Sequence, residues 1–216
     1  MAPELKKRII TSLILFILLI LMYFYSYILI ISLLIIATIS WIEFYGLISK
    51  IYNKNKILRT LFKIFSLIYL LSLVFGILYV VSNKPNLKIF FIYTILVSIA
   101  SDIGGLAFGK FFKGKKLTKI SPKKTISGSI GSFVFPLFLI PFFLEYFNQY
   151  QTITLFFITT VISLISQIGD LFISFLKRKA KVKDTSDILP GHGGFLDRID
   201  GIIFSIPSGL LLFNIF

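Results

Sequence analysis

The chain has 216 residues, 56% of them hydrophobic, no cysteine and a formal net charge of +14. A mean hydropathy of +0.93 excludes a soluble domain of this size, whose interior is too small to hide so much apolar surface. The lack of cysteine excludes disulfides and thiolate metal sites. The positive charge lies in short segments between apolar runs rather than on a soluble domain, which excludes nucleic acid as the partner and points to lipid headgroups or phosphates.

Seven apolar runs predict an all-α, polytopic membrane protein, with spans near 9–24, 27–48, 60–81, 87–109, 126–147, 152–176 and 199–216. The first run follows Lys6, Lys7 and Arg8 and resembles a signal peptide. No small-residue cleavage site follows it, so it reads as a retained helix. No internal repeat or soluble domain interrupts the series.

All but two of the 23 Lys and Arg residues fall on alternate connections. They sit at the N-terminus, in Lys50–Lys63 after span two, in Lys110–Lys124 after span four, and in Lys177–Arg198 after span six. Lys84 and Lys88 are the two on the opposite side. The positive-inside rule then puts the N-terminus in the cytoplasm and the C-terminus outside.

Charges inside spans are costly and tend to serve function. Glu145 lies near an outer end and reads as interfacial. Glu43, beside Trp41 and Tyr45, reads as a belt residue whose carboxylate reaches water. Asp170 stands apart. Thr159, Ser163, Gln167, Asp170, Ser174 and Lys177 fall on one helical face, suited to a polar cavity or to a helix interface. Asp170 sits roughly two turns, or about 9 Å, below the basic end. Span four carries a weaker stripe of Thr94, Ser98, Asp102, Gly105 and Gly109. Its glycines permit close helix packing, while Asp102 needs a partner or a cation.

The connection after span four contains "SPKKT", Ser121–Thr125, followed by Gly128 and Gly131. A turn with two adjacent cations and a hydroxyl can present N–H, O–H and ammonium donors to phosphate oxygens. The last connection ends in "LPGHGGFLDRID", Leu189–Asp200. Its glycines allow a ligand close to the backbone. Asp197 and Asp200 offer carboxylates to a hard cation such as Mg2+, which favours a few carboxylates plus substrate phosphates. His192 is the lone histidine, so a zinc site is not indicated, and it reads as a phosphate donor or loop organiser. These features describe a membrane enzyme handling phosphates at the cytoplasmic face. A transporter with merely topological basic loops is the contrary reading.

From Ser174 to Asp200 the chain resembles the phosphatidate cytidylyltransferase (CDP-diacylglycerol synthase) family, bacterial type. The likeness is carried by Ser174, Leu176, Lys177, Arg178, Lys183, Asp184, Ser186, Leu189, Pro190, His192, Gly193, Gly194, Phe195, Asp197, Arg198, Ile199 and Asp200. "SQIGDLF" and "SPKKT" also look like the family. The likeness covers roughly residue 98 onward, and residues 1–84 match only in character as three membrane spans. Residues 85–216 are then the catalytic region, with four spans and two basic loops.

The resemblance implies CTP plus phosphatidate giving CDP-diacylglycerol plus diphosphate, in phospholipid synthesis at the bacterial inner membrane. It implies Mg2+, with a second cation such as K+, and a homodimer. In this reading Asp170 and Asp197 hold the metal, supported by Asp200 and Asp102, and Asp184 is a further ligand or orders the loop. Lys123, Lys124, Lys177, Arg178, Lys183 and Arg198 clamp phosphates, with Ser121, Thr125 and Ser174 as hydroxyl donors. His192, Gly193 and Gly194 shape the nucleotide pocket. The chain departs from the family at Ser127, where a Glu is usual, and is shorter than typical bacterial members. A CTP transferase acting on another phosphorylated lipid, isoprenoid or archaeal-type, is the alternative within the class.

Overall fold

The computed structural model describes residues 3–83, 88–118, 121, 124–189 and 193–215. Among these residues eight helices follow in order: α1 Pro3–Phe24, α2 Ser26–Ile51, α3 Lys56–Asn83, α4 Lys88–Phe112, α5 Ile126–Leu137, α6 Ile140–Phe143, α7 Thr152–Lys179 and α8 Leu196–Ile215. Among the described residues the only strand-like pairings are two isolated bridges, Lys116–Thr125 and Leu189–Gly193. The protein is an all-helical, polytopic membrane protein. A bilayer core leaves no water for backbone groups, so helices satisfy them internally.

Among the described residues, six segments are long and apolar enough to cross a bilayer: 26–51, 56–82, 88–112, 126–143, 152–179 and 196–215. The apolar part of α1, Ile9–Phe24, is shorter. At 1.5 Å per residue it reaches about 24 Å, against a hydrocarbon core of about 30 Å. α1 as a whole, Pro3–Phe24, has 22 residues, the basic run Lys6–Arg8 preceding its apolar part.

The fifth span also differs from the single helix expected over 126–147. Regular α-helix stops at Leu137, and the chain continues through the short α6 and a series of turns. Two prolines account for this. Past Pro136 the donors switch to carbonyls three residues back, with Phe138 N bonding Phe135 O and Leu139 N bonding Pro136 O. Pro141 has no N–H to return to the Leu137 carbonyl. Hydropathy runs on undisturbed through this backbone break, so the apolar pattern alone does not reveal it.

The chain forms two compact units, Met1–Asn83 with Leu176–Ile199, and Lys84–Phe175 with Asp200–Phe216. In the first unit α1 packs on α2 and α2 on α3. Asn55 caps α3 by accepting the Leu58 N–H at 3.1 Å. Trp41 Nε1 donates to Lys63 O at 3.2 Å, and the Lys63 ammonium lies 5.2 Å and 4.8 Å from the Trp41 and Tyr45 ring centres. This cation–π contact ties α2 to α3 on either side of Glu43 in sequence.

In the second unit α4 packs tightly on α5. A Cβ on Gly104 would overlap the Gly131 carbonyl, and one on Gly131 would overlap Phe108, so the small-residue face is a backbone-to-backbone contact. An aromatic core of Phe90, Tyr93, Phe147 and Phe213, with Ile158 and Ile162, fills the other side. Phe90 and Phe213 stack with ring centres 4.5 Å apart.

Candidate active site

In the first unit, the helix α7 ends in a left-handed cap. Lys181 has φ 57°, Val182 N bonds Lys177 O at 3.0 Å and Lys181 N bonds Arg178 O at 3.1 Å. This 6→1 and 5→2 pairing is a Schellman motif, which releases the chain from the helix while satisfying its last carbonyls. Farther on, Leu189 and Gly193 exchange two backbone bonds of 2.9 and 3.1 Å. Residues 190–192 between them, His192 included, lie outside the described residues. Gly193 has φ +84°. Any Cβ there would also press on Asp184 at 3.3 Å, so two constraints select glycine.

Asp197, in the first turn of α8, gathers this segment. Its Oδ1 accepts Lys177 Nζ at 2.6 Å. Its Oδ2 accepts Thr185 N at 2.8 Å, Thr185 Oγ1 at 3.0 Å and Gly194 N at 3.2 Å. Lys177 is thereby committed to a buried ion pair, with side-chain exposures of 13% and 4%. Arg178, Lys183, Asp184 and Arg198 are exposed.

Glu43 corrects its sequence-level reading. It is only 4% exposed and does not reach water. Its Oε1 accepts Phe195 N at 2.9 Å and the Ser186 hydroxyl. Its Oε2 accepts Leu196 N at 2.7 Å and Thr185 Oγ1 at 2.8 Å. A buried carboxylate is tolerated when donors saturate it, and two of these donors are N–H groups at the positive end of α8. A hydroxyl has one proton, so Thr185 donates to Glu43 or to Asp197 at any moment. The sequence signal was the charge within a span. Its partners are not legible there, because two are main-chain groups about 150 residues away.

In the second unit, backbone bonds bring Lys115 and Leu117 against Lys124 and Ile126. Leu117 N bonds Lys124 O at 2.8 Å, Ile126 N bonds Lys115 O at 3.0 Å and Lys124 N bonds Ser121 O at 3.0 Å. Thr125 is the N-cap of α5, its Oγ1 accepting Gly128 N at 3.0 Å. Ser127, at the position where a Glu is usual, bonds the Thr125 hydroxyl at 3.0 Å and donates to the Lys113 carbonyl, which holds this turn shut. Lys123 lies outside the described residues.

Lys124 makes an ion pair with Asp170, and Ser174 Oγ donates to the other Asp170 oxygen at 3.3 Å. The side chains of Lys124 and Asp170 are 28% and 24% exposed. "SPKKT" and the polar stripe of α7 therefore meet at Asp170. Deeper along that stripe the groups are helix-interface contacts. Ser129 Oγ bonds Gln167 Oε1 at 2.7 Å, Ser163 bonds Ser101 at 3.0 Å and the Ser132 carbonyl at 2.7 Å, and Thr159 bonds Tyr93 at 2.6 Å. The stripe is thus an interface at its buried end and opens only near Asp170. Asp200 is 6% exposed, its Oδ1 accepting Gly201 N at 2.9 Å, and Asp102 is exposed on α4. Among the described residues, no three His, Asp or Glu side chains form a ready metal cage.

The model of the cytidylyltransferase family matches residues 2–216. The phosphatidate cytidylyltransferase of Rickettsia typhi is 42% identical over 134 residues, covering 58% of this chain and 57% of the relative. That of Rickettsia bellii is 40% identical over 139 residues, covering 61% and 60%. That of Staphylococcus haemolyticus is 36% identical over 135 residues, covering 61% and 52%. The chain spans little more than half the length of these curated relatives. With the signature segment folded around Asp197 and the family match running from residue 2 to the last residue, the chain belongs to the cytidylyltransferase family.

Proposed function

We propose that the chain transfers the cytidylyl group of CTP to phosphatidate, giving CDP-diacylglycerol and diphosphate, at the cytoplasmic face of a bacterial inner membrane. The observation that carries this reading is the Lys124–Asp170 ion pair. It joins a phosphate-type turn to an intramembrane carboxylate at the basic end of α7. The names of the relatives support the same reaction, and the one-sided placement of Lys and Arg supports the cytoplasmic face.

In the reaction a phosphate oxygen of phosphatidate attacks the α-phosphorus of CTP. A new P–O bond forms, the bond from that phosphorus to the β-phosphate bridge oxygen breaks, and diphosphate leaves with the bonding pair. Both reactants are anions, so the protein's work is positioning and charge stabilisation. In the second unit Lys124 supplies an ammonium and Ser174 a hydroxyl to phosphate oxygens, and in the first unit Arg178 and Lys183 supply further cationic donors.

Asp170 fits a Mg2+ ligand. It is a partly exposed carboxylate that already holds one cation, the Lys124 ammonium, which phosphate would draw away. Mg2+ when bound would neutralise charge on the reacting phosphates. Asp197 has both oxygens taken by donors, so we assign it to loop organisation first. A homodimer belongs to the same reading, and cross-linking of the protein in lipid nanodiscs checks it.

The test is diphosphate release from CTP by the purified chain in mixed micelles. Release that requires both phosphatidate and Mg2+ is expected. No release under any condition overturns the proposal. Turnover with polyprenyl phosphate but not phosphatidate reassigns the acceptor.

A further inference from the structure

We infer that Glu43, on the second helix, is a positioning residue for this reaction: its buried carboxylate holds Thr185 and Ser186 against Phe195 and Leu196 and so places the cationic segment that meets phosphates. The inference rests on the proposed function and goes beyond it, because neither "SPKKT" nor the signature segment contains this residue.

Four donors converge on Glu43: the Thr185 and Ser186 hydroxyls and the Phe195 and Leu196 N–H groups. A carboxylate has about four acceptor sites, and three of them are held throughout by Ser186, Phe195 and Leu196, with the Thr185 hydroxyl shared with Asp197 at the fourth. The four donors come from the two ends of one loop, and the anion between them draws those ends together. Gly194 sits in the same clasp, where an added Cβ would overlap the Thr185 hydroxyl. Through Thr185 the clasp reaches Asp197 and, beyond it, Lys177. Glu43 is itself fixed, since its neighbours Trp41 and Tyr45 are held against α3 by Lys63. Helix α2 is therefore the fixed post on which the loop is hung, and Glu43 acts through the loop without touching the reacting atoms.

Replacing Glu43 with Gln keeps the size but puts an NH2 group in front of donors. The loop then populates open forms, and apparent CTP affinity falls by the fraction still competent, whereas saturating CTP restores the competent form. The experiment uses the full chain in lipid nanodiscs, compares wild type with Glu43→Gln and Ser186→Ala, and reads amide exchange and CTP kinetics.

For Glu43→Gln, exchange in peptides covering 181–197 should accelerate at least about ten-fold, the equivalent of losing one charge-assisted bond, with peptides covering 126–143 unchanged. KM for CTP should rise by a similar factor while kcat stays within about two-fold. Ser186→Ala, which removes one donor of four, should give the same pattern at a few-fold and covers the case in which Glu43→Gln does not fold. Unchanged exchange in 181–197, equal acceleration in both windows, or a fall in kcat with KM constant overturns the inference. A wild type that releases no diphosphate overturns the proposed function instead, and the exchange arms still decide whether Glu43 holds the loop.

Discussion

The two units each present a carboxylate beside a basic segment, and the two are held in opposite ways. In the first unit the Asp197 side chain is buried, with one ammonium and three neutral donors on its oxygens, and Glu43 beside it takes three more donors and shares the Thr185 hydroxyl. In the second, Asp170 is about one quarter exposed and, among the described residues, holds one ammonium and one long hydroxyl bond. A saturated, buried anion resists exchange of partners, since each donor left behind is penalised. An under-filled anion at the edge of water can trade its cation for another. The comparison separates a carboxylate that shapes a loop from one that can take part in turnover.

The sharpest way to break this contrast is Asp170→Asn. Cytidylyl transfer to phosphatidate should fall on the order of 10²- to 10³-fold, the usual loss for a group acting on developing charge. The unfolding midpoint should barely move, because the group is partly exposed. A large loss of stability would erase the distinction.

Asp197→Asn should do the reverse. It leaves Lys177 without its buried counter-charge and should destabilise the fold by on the order of 3 kcal/mol, read by reversible unfolding in mixed micelles. An unaltered midpoint would place Asp197 with Asp170. Thr125→Ala is the mildest probe. Loss of the α5 N-cap should cost about 1 kcal/mol and weaken CTP binding only through its neighbour Lys124. A loss as large as that of Asp170→Asn would make Thr125 a substrate contact.

Much of this arrangement is legible in the chain itself. The apolar runs locate the spans because a bilayer imposes length and hydropathy. The four-residue spacing of Thr159, Ser163, Gln167 and Asp170 reveals one face because helical geometry repeats every 3.6 residues. The glycines of α4 announce the close approach of α5 for the same reason. The break after Leu137 is hidden by unbroken hydropathy, although Pro136 and Pro141 mark it locally. Glu43 is hidden more deeply. Its spacing to Thr185 and Phe195 obeys no period, and main-chain donors leave no trace in residue type. Whether the stripe on α7 lines a cavity or an interface depends on what packs against it, and the serines of α4 and α5 decide that at its buried end.

The shared hydroxyl of Thr185 has one more consequence. With a single proton between two carboxylates, the loss of either changes what the other receives. Substitutions at Glu43 and Asp197 therefore should not add. A double-mutant cycle on unfolding free energy should show a coupling of about 0.5–3 kcal/mol, and it should shrink when Thr185 is replaced by Val. Helix α2 and the first turn of α8 would then be linked through the rotation of one O–H bond.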